Sequence, residues 1–187
     1  MHRSRRSRPR AVTEPTRKLV RELLNSLEDT AEAMAVIRTL LLLTLRERRE
    51  EERLRMIQQH LRRLVPFDRF TLLRLRPGGR SDILAAFDGH DWTRGGSASW
   101  RGSAPSVLHK GKIQVRGRIP VRSLPVRPLR PPTSDHVGDA TIPLGPDRRG
   151  MRVLHLACYE PDRILPEHCD ILDQVQPALS VALAKVS

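Results

Sequence analysis

Apolar positions in the first third of the chain recur at helical spacing. Leu19, Leu23 and Leu27 are four apart. Met34, Ile37, Leu41 and Leu45 form a second stripe, and Leu54, Ile57, Leu61 and Leu64 a third. Thr13-Glu14-Pro15 is a helix start, with an acid in the first turn and a proline where a missing N–H costs little. Asn25 to Asp29 predicts a break, with a restart at Asp29 or Thr30. Ala31 to Val65 contains neither Gly nor Pro, and Arg46 to Arg53 within it is wholly charged. That charged stretch is either a solvated part of one long helix or the turn of a helical hairpin. One helix of about 35 residues spans on the order of 50 Å, more than a compact domain of this size covers. We therefore read Met34, Ile37, Leu41 and Leu45 as a homodimer surface, the alternative being that they pack on the chain's own domain.

The period changes after Pro66. Phe67 to Arg76 predicts a strand, Pro77-Gly78-Gly79 a turn, and Ser81 to Phe87 the hairpin partner. Ser103 to His109 predicts one or two helical turns, and Ile113 to Val115 a short strand. Residues 116–138, with five prolines and five arginines, predict a long irregular loop. Ala140 to Leu144 and Met151 to Tyr159 predict a second hairpin, turning through residues 145–150. Pro166 opens a last helix carrying Ile171, Leu172, Val175, Leu179 and Leu183 on one face, with a kink expected at Pro177.

Charge and composition narrow the partners. The net charge of +13 suits an anionic partner. Yet only four of the 34 basic residues are lysines, a bias that a GC-rich genome also produces. Residues 1–12, with five arginines and no acid, read as a disordered basic tail. No signal peptide and no transmembrane segment is read from the sequence, the leucine run Leu40 to Leu43, extended to Leu45 through Thr44, being far shorter than a bilayer needs. A cytoplasmic location is expected. Two cysteines, Cys158 and Cys169, make no disulfide framework, and no zinc spacing occurs. Neither a metal nor a cofactor is predicted.

Several phrases, in order, are similar to bacterial GAF domains of sensor kinases and sigma-54-dependent activators. Leu64-Val65-Pro66-Phe67-Asp68-Arg69 before Phe70-Thr71-Leu72 resembles their helix-to-strand junction. Gly102-Ser103 with Val107 and Lys110-Gly111-Lys112, then Ile142-Pro143-Leu144 with Gly150 and Val153-Leu154-His155-Leu156, resemble their middle. Pro166 to Leu172 and the helix after it resemble their ending. The resemblance covers about residues 50–187 and departs at Arg116, Arg118 and Arg152 and in the Pro/Arg loop. It implies an α+β fold: a GAF-like antiparallel sheet flanked on one face by N- and C-terminal helices, with a small-molecule cavity under loops on the other. Residues 1–12 are then the tail, 13–49 a helical extension and 50–187 the GAF-like domain. The resemblance also implies a ligand-responsive regulatory domain, not an enzyme, whose end helices pair with a second subunit. With no output segment recognised, the chain is expected to be a solitary regulator or a relic whose output partner is a separate protein.

Phe87, Trp92 and Trp100 cluster at the expected pocket rim, near Arg101, Ser103, His109 and Arg116. Together they suit a small anionic or planar ligand; the alternative is that the tryptophans merely cap the sheet. His155 and Cys158, three apart on one strand, face opposite ways. His90, His109 and His136 read as surface histidines rather than haem ligands, and no bilin-attachment Cys-His pair is present. Two other functions stay open. One is a nucleic-acid-associated regulator using the basic arm and the Arg/Pro loop. The other is a thiol redox enzyme using Cys169, whose place beside a helix N-terminus favours a thiolate, although GAF-like methionine-sulfoxide reductases carry their cysteines elsewhere.

Overall fold

The computed structural model describes residues 14–45, 49–76, 80–99, 111–126, 128 and 132–186. Helix α1 runs unbroken over Glu14–Leu45, so the break predicted at Asn25–Asp29 is absent. Asn, Ser and Asp each cost a helix only tenths of a kcal/mol. Thr30 also donates from Oγ1 to the carbonyl of Ser26 at 2.8 Å, keeping its hydroxyl within the helix. Helix α2, Glu50–Leu61, opens with three acids in its first turn, where the helix dipole favours negative charge. Arg63, just past α2, lies 3.0 Å from Glu32 in the middle of α1. The chain has therefore doubled back, and the hairpin replaces the single long helix.

The sheet is antiparallel at every described pairing. Its strands are β1 (Arg69–Leu75), β2 (Arg80–Asp88), β3 (Trp92–Thr93), β4 (Ser97–Ser99), β5 (Gln114–Pro120), β6 (His136–Asp147) and β7 (Gly150–Cys158). They lie in the order β3-β2-β1-β7-β6-β5, with β4 also on β2. Helix α3, His168–Ala182, continues across Pro177.

Three boundaries differ from those the pattern predicts. The Pro/Arg loop shrinks, because β5 extends to Pro120, a 3-10 turn follows at Val121–Ser123, and β6 starts at His136. An edge strand tolerates polar residues and a terminal proline, and these had masked the strand in the sequence. A register shift lies between Pro143 and Gly145, and Gly145, Pro146 and Asp147 still pair with β7, so the second hairpin closes over Arg148 and Arg149 alone. The first hairpin's Pro77-Gly78-Gly79 and the expected helical turns at 103–109 lie outside the described residues.

One face of the sheet carries the main core. Phe70, Leu72, Ala140, Ile142, Leu154 and Leu156 meet Leu54, Ile57 and Leu61 of α2 and Leu172, Val175 and Leu179 of α3. Alternation along each strand puts these residues on one side. From α1, Ala33, Val36, Leu40 and Leu43 join the same cluster. Met34, Leu41 and Leu45, on another face of α1, are 59%, 42% and 81% exposed. Ile37 is half-buried against the core. Leu23, Leu24 and Leu27 extend the exposed apolar stripe toward the start of the helix.

Candidate functional site

The other face of the sheet is polar at its centre. Directly paired residues share a face, and the register builds two rows across β2, β1, β7, β6 and β5. One row reads Asp88, Arg69, Ala157, Asp139, Arg116; the next reads Ala86, Thr71, His155, Thr141, Gln114. Asp139 is fully buried, and Thr71, Thr141 and His155 are each 1% exposed. Apolar clusters flank the rows. On one side are Leu73, Leu75, Ala98 and Val153 with Val126, and on the other Ile119, Leu124, Val137 and Ala157. Leu124 and Val126 belong to the segment after the 3-10 turn, which therefore straps across this face. The strap is tied down where Arg69 donates from Nη1 to the Val126 carbonyl at 2.7 Å.

The charges in the rows are matched. Arg116 grips both oxygens of Asp139, its Nε donating to Oδ1 at 2.8 Å and its Nη2 to Oδ2. His155 Nε2 lies 3.1 Å from Asp139 Oδ2; a carboxylate only accepts, so this nitrogen carries the proton. Burial alone would raise the Asp139 pKa, but the hydrogen bonds from His155 and Arg116 outweigh it and hold the carboxyl below its usual range. Burial lowers the Arg69 pKa, against Asp88 and Tyr159, which raise it. The Tyr159 hydroxyl donates to Asp88 and is itself pushed up, by burial first and that hydrogen bond second.

The hydroxyls of Thr71 and Thr141 and Nε of Arg69 are buried with no hydrogen-bond partner among the described residues. A buried hydroxyl without a partner costs about 1–3 kcal/mol, so these atoms mark where a further hydrogen-bonding group belongs. Beside the rows, an open groove of about 500 Å³ runs along β5, lined by Ile113, Gln114, Val115, Arg116, Pro166 and Cys169. Gln114 and Arg116 belong both to the groove and to the ends of the rows. Its size suits a small molecule.

The residues singled out in the sequence divide. Arg116 is in the site. Phe87 and Trp92 sit together on the helix face instead, their ring centroids 5.3 Å apart and Trp92 edge-on to Phe70 at 5.6 Å. Arg62, following α2, stacks over Phe67 and Phe87. These aromatics cap the core and do not meet Arg116. Trp100, Arg101, Ser103 and His109 lie outside the described residues. Sequence reasoning missed Arg69, Thr71, Asp139 and Thr141. The strand period was there to show Arg69 and Thr71 facing away from Phe70 and Leu72, but only the register aligns them with His155 and Asp139.

The cysteines correct one expectation. Cys158 is buried on the helix side and pushed up to about 11 by burial, with Asp68 adding to the effect. Cys169 is also raised, by burial first and then by Asp173 and Asp170. The thiolate expected beside a helix N-terminus is thus disfavoured, because neighbouring acids and burial outweigh the dipole. Cys169 is expected to react with a disulfide reagent at pH 7 more slowly than free glutathione, as a thiol assay on the Cys158→Ser variant would show. Among the described arginines of the Arg/Pro segment, Arg116 pairs with Asp139 and Arg118 with Asp162 at 3.6 Å. No group of three or more metal-ligating side chains occurs among the described residues, and no described helix is long and apolar enough to cross a membrane.

No protein-family model and no curated protein matches the sequence. Solved structures do match the fold. The nlh2 GAF domain of A. aeolicus in an inactive state aligns with TM-score 0.55 and 12% identity, over 83% of this chain and 98% of that one. The phycocyanobilin-bound GAF domain of a cyanobacterial phytochrome aligns with TM-score 0.56 and 15% identity, over 82% and 94%. The GAF domain of a phosphoenolpyruvate-protein phosphotransferase from Coxiella burnetii aligns with TM-score 0.54 and 15% identity, again over 82% and 94%. A shared antiparallel sheet with helices packed on one face, at identities this low, is a statement about architecture. This chain has a GAF-like α+β fold.

Proposed function

We propose that this protein is a ligand-responsive regulatory domain that senses a small molecule on the outer face of its sheet and signals as a dimer through α1. The observation that carries the reading is the pair of buried, unpartnered threonine hydroxyls under the 121–126 strap. A fold has no stability reason to bury two such groups, whereas a binding site does. The phytochrome domain named above is bilin-bound, an example of this architecture holding a small molecule. The exposed stripe of Leu23, Leu27, Met34, Leu41 and Leu45 supports the second half of the reading. Its members fall on one side of α1 at spacings of four and seven, the pattern of a helix-pairing seam. The helix face that packs on α3 and the sheet is separate, so pairing leaves the domain intact. The output is a separate protein reached through α1.

Native mass spectrometry of freshly purified protein tests both halves at once. A dimer mass with a bound small molecule is expected; a monomer at micromolar concentration rules out the dimer, and a bare polypeptide mass counts against the ligand. Leu41→Glu combined with Met34→Glu is expected to turn the dimer into a monomer. Because both side chains are exposed on a single chain, the melting temperature of the monomeric variant measured at high dilution should match that of diluted wild type. A collapse of the fold instead would mean that the stripe packs internally.

A further inference from the structure

Resting on the ligand reading above, we infer that the ligand is an uncharged, flat molecule with hydrogen-bonding groups at two opposite edges, lying across His155 between Thr71 and Thr141. Three observations lead there. The first is spacing. Thr71, His155 and Thr141 are consecutive partners on three adjacent strands, so the two threonines stand about 10 Å apart at ordinary strand separation. One atom bonded to both hydroxyls spans only about 5.6 Å. The ligand therefore needs two polar groups, one for each hydroxyl, with a body that bridges the imidazole.

The second is charge. Among the described residues, the charged groups of the two rows are, besides His155, two cations and two anions. Arg116 is committed to Asp139, and Arg69 stands beside its register partner Asp88. His155 also turns one nitrogen to Asp139. A buried ion brought in by a ligand finds no unmatched counter-charge among the described residues, and burying it unpaired is far more costly than burying an amide that makes its hydrogen bonds. The sequence alone allowed an anionic or a planar ligand; the geometry favours the planar one without the charge.

The third is the pattern under the strap. The strap touches the sheet on both sides of the rows, through Val126 in one apolar cluster and Leu124 in the other. The stretch of sheet between those two contacts is polar in the middle and apolar at its flanks. Flat rings with polar edges match that pattern.

Two pairs of probes of similar shape and opposite charge state test the inference on the full, dialysed chain: nicotinamide against nicotinate, and uracil against orotate. A neutral member is expected to raise Tm by about 3–6 °C at tenfold excess over its Kd, with its anionic partner at least about tenfold weaker. Thr71→Val and Thr141→Val are each expected to weaken the neutral probe by about tenfold. Neither should lower the Tm of the empty protein, since each replaces an unpartnered hydroxyl with a methyl group of similar shape. Thr71→Ser, which keeps the hydroxyl, is expected to bind as wild type does. Tighter binding of nicotinate or orotate overturns the uncharged class while leaving a ligand-responsive site in place. Wild-type affinity in both valine variants overturns the placement. No response to any of the four probes also overturns this inference, and the native mass of the freshly purified protein then decides separately whether the ligand reading survives.

Discussion

Asp139→Ala is expected to destabilise the protein by about 3–5 kcal/mol, the cost typical of removing one partner from a buried ion pair. The loss is large because Asp139 satisfies two groups at once. Its two oxygens take both donors of the Arg116 fork and the Nε2–H of His155, in a place with no access to water. Without the carboxylate, the guanidinium and the imidazole proton are left facing each other and two unpartnered threonines. Asp139→Asn, which keeps one acceptor and the shape, should lose less. Urea unfolding at pH 7, read as a change in midpoint at constant slope, separates the three proteins. A midpoint for Asp139→Ala equal to that of wild type would mean that Arg116 and His155 are solvated in the native state.

The same group sets a pH signature. The folded pKa of Asp139 lies below its ordinary value of 3.8, so the folded state binds its proton less readily than the unfolded chain does. The stability it contributes is complete above that ordinary value and is lost as pH falls below it toward the depressed folded pKa. Asp147 behaves likewise. Burial would raise it, but the backbone N–H of Arg149 and the guanidinium of Arg74, 2.7 Å away, hold it down. In Asp139→Asn the acid limb of the stability curve should therefore flatten but not vanish, and in the double variant with Asp147→Asn it should flatten further.

Gly150→Ala is the second large effect, expected to cost about 3 kcal/mol or more. Gly150 begins β7 with φ at +153°, and a Cβ built there falls 2.2 Å from the carbonyl oxygen of Leu75. The obstacle is backbone on the neighbouring strand, so no rotamer change relieves it. Either β1 and β7 separate at that end or the hairpin over Arg148 and Arg149 distorts. Gly145 provides the comparison. It also has positive φ, at +95°, but its Cβ would meet nothing within 4 Å. Gly145→Ala should therefore cost only the conformational penalty of about 1–2 kcal/mol. Thermal melts of the two variants side by side test the distinction, and equal losses would place the strain in φ alone.

The site and the fold were legible in the sequence to very different degrees. Helical stripes at spacing three and four are a local consequence of 3.6 residues per turn. They marked α3 within a few residues and the helical character of α1 and α2, but not that α1 is unbroken or where α2 begins. Strand alternation with glycine and proline punctuation marked both hairpins, and short phrases around Pro66, Ile142 and Pro166 pointed to the GAF-like architecture now seen. Local signals failed where a neighbour decides the outcome. Asn25 to Asp29 looks like a break only while Thr30 is not known to bond back to Ser26. Arg116 to Pro120 looks like loop only while its pairing with β6 is not known.

The candidate site depended on neighbours throughout. Phe87, Trp92 and Arg116 are close in sequence and rich in chemistry, yet the sheet sends the two aromatics to the helix face and Arg116 to the other. Thr71, Asp139, Thr141 and His155 lie far apart along the chain and carry no motif between them. What the sequence determined by itself was most of the segments that are helix or strand and the apolar side of most of them, because those properties repeat along one chain with a fixed period. Only the tertiary structure decided which residues share a row, since strand order and register bring together positions about 70 and 84 residues apart, and no periodicity within a single segment encodes that distance.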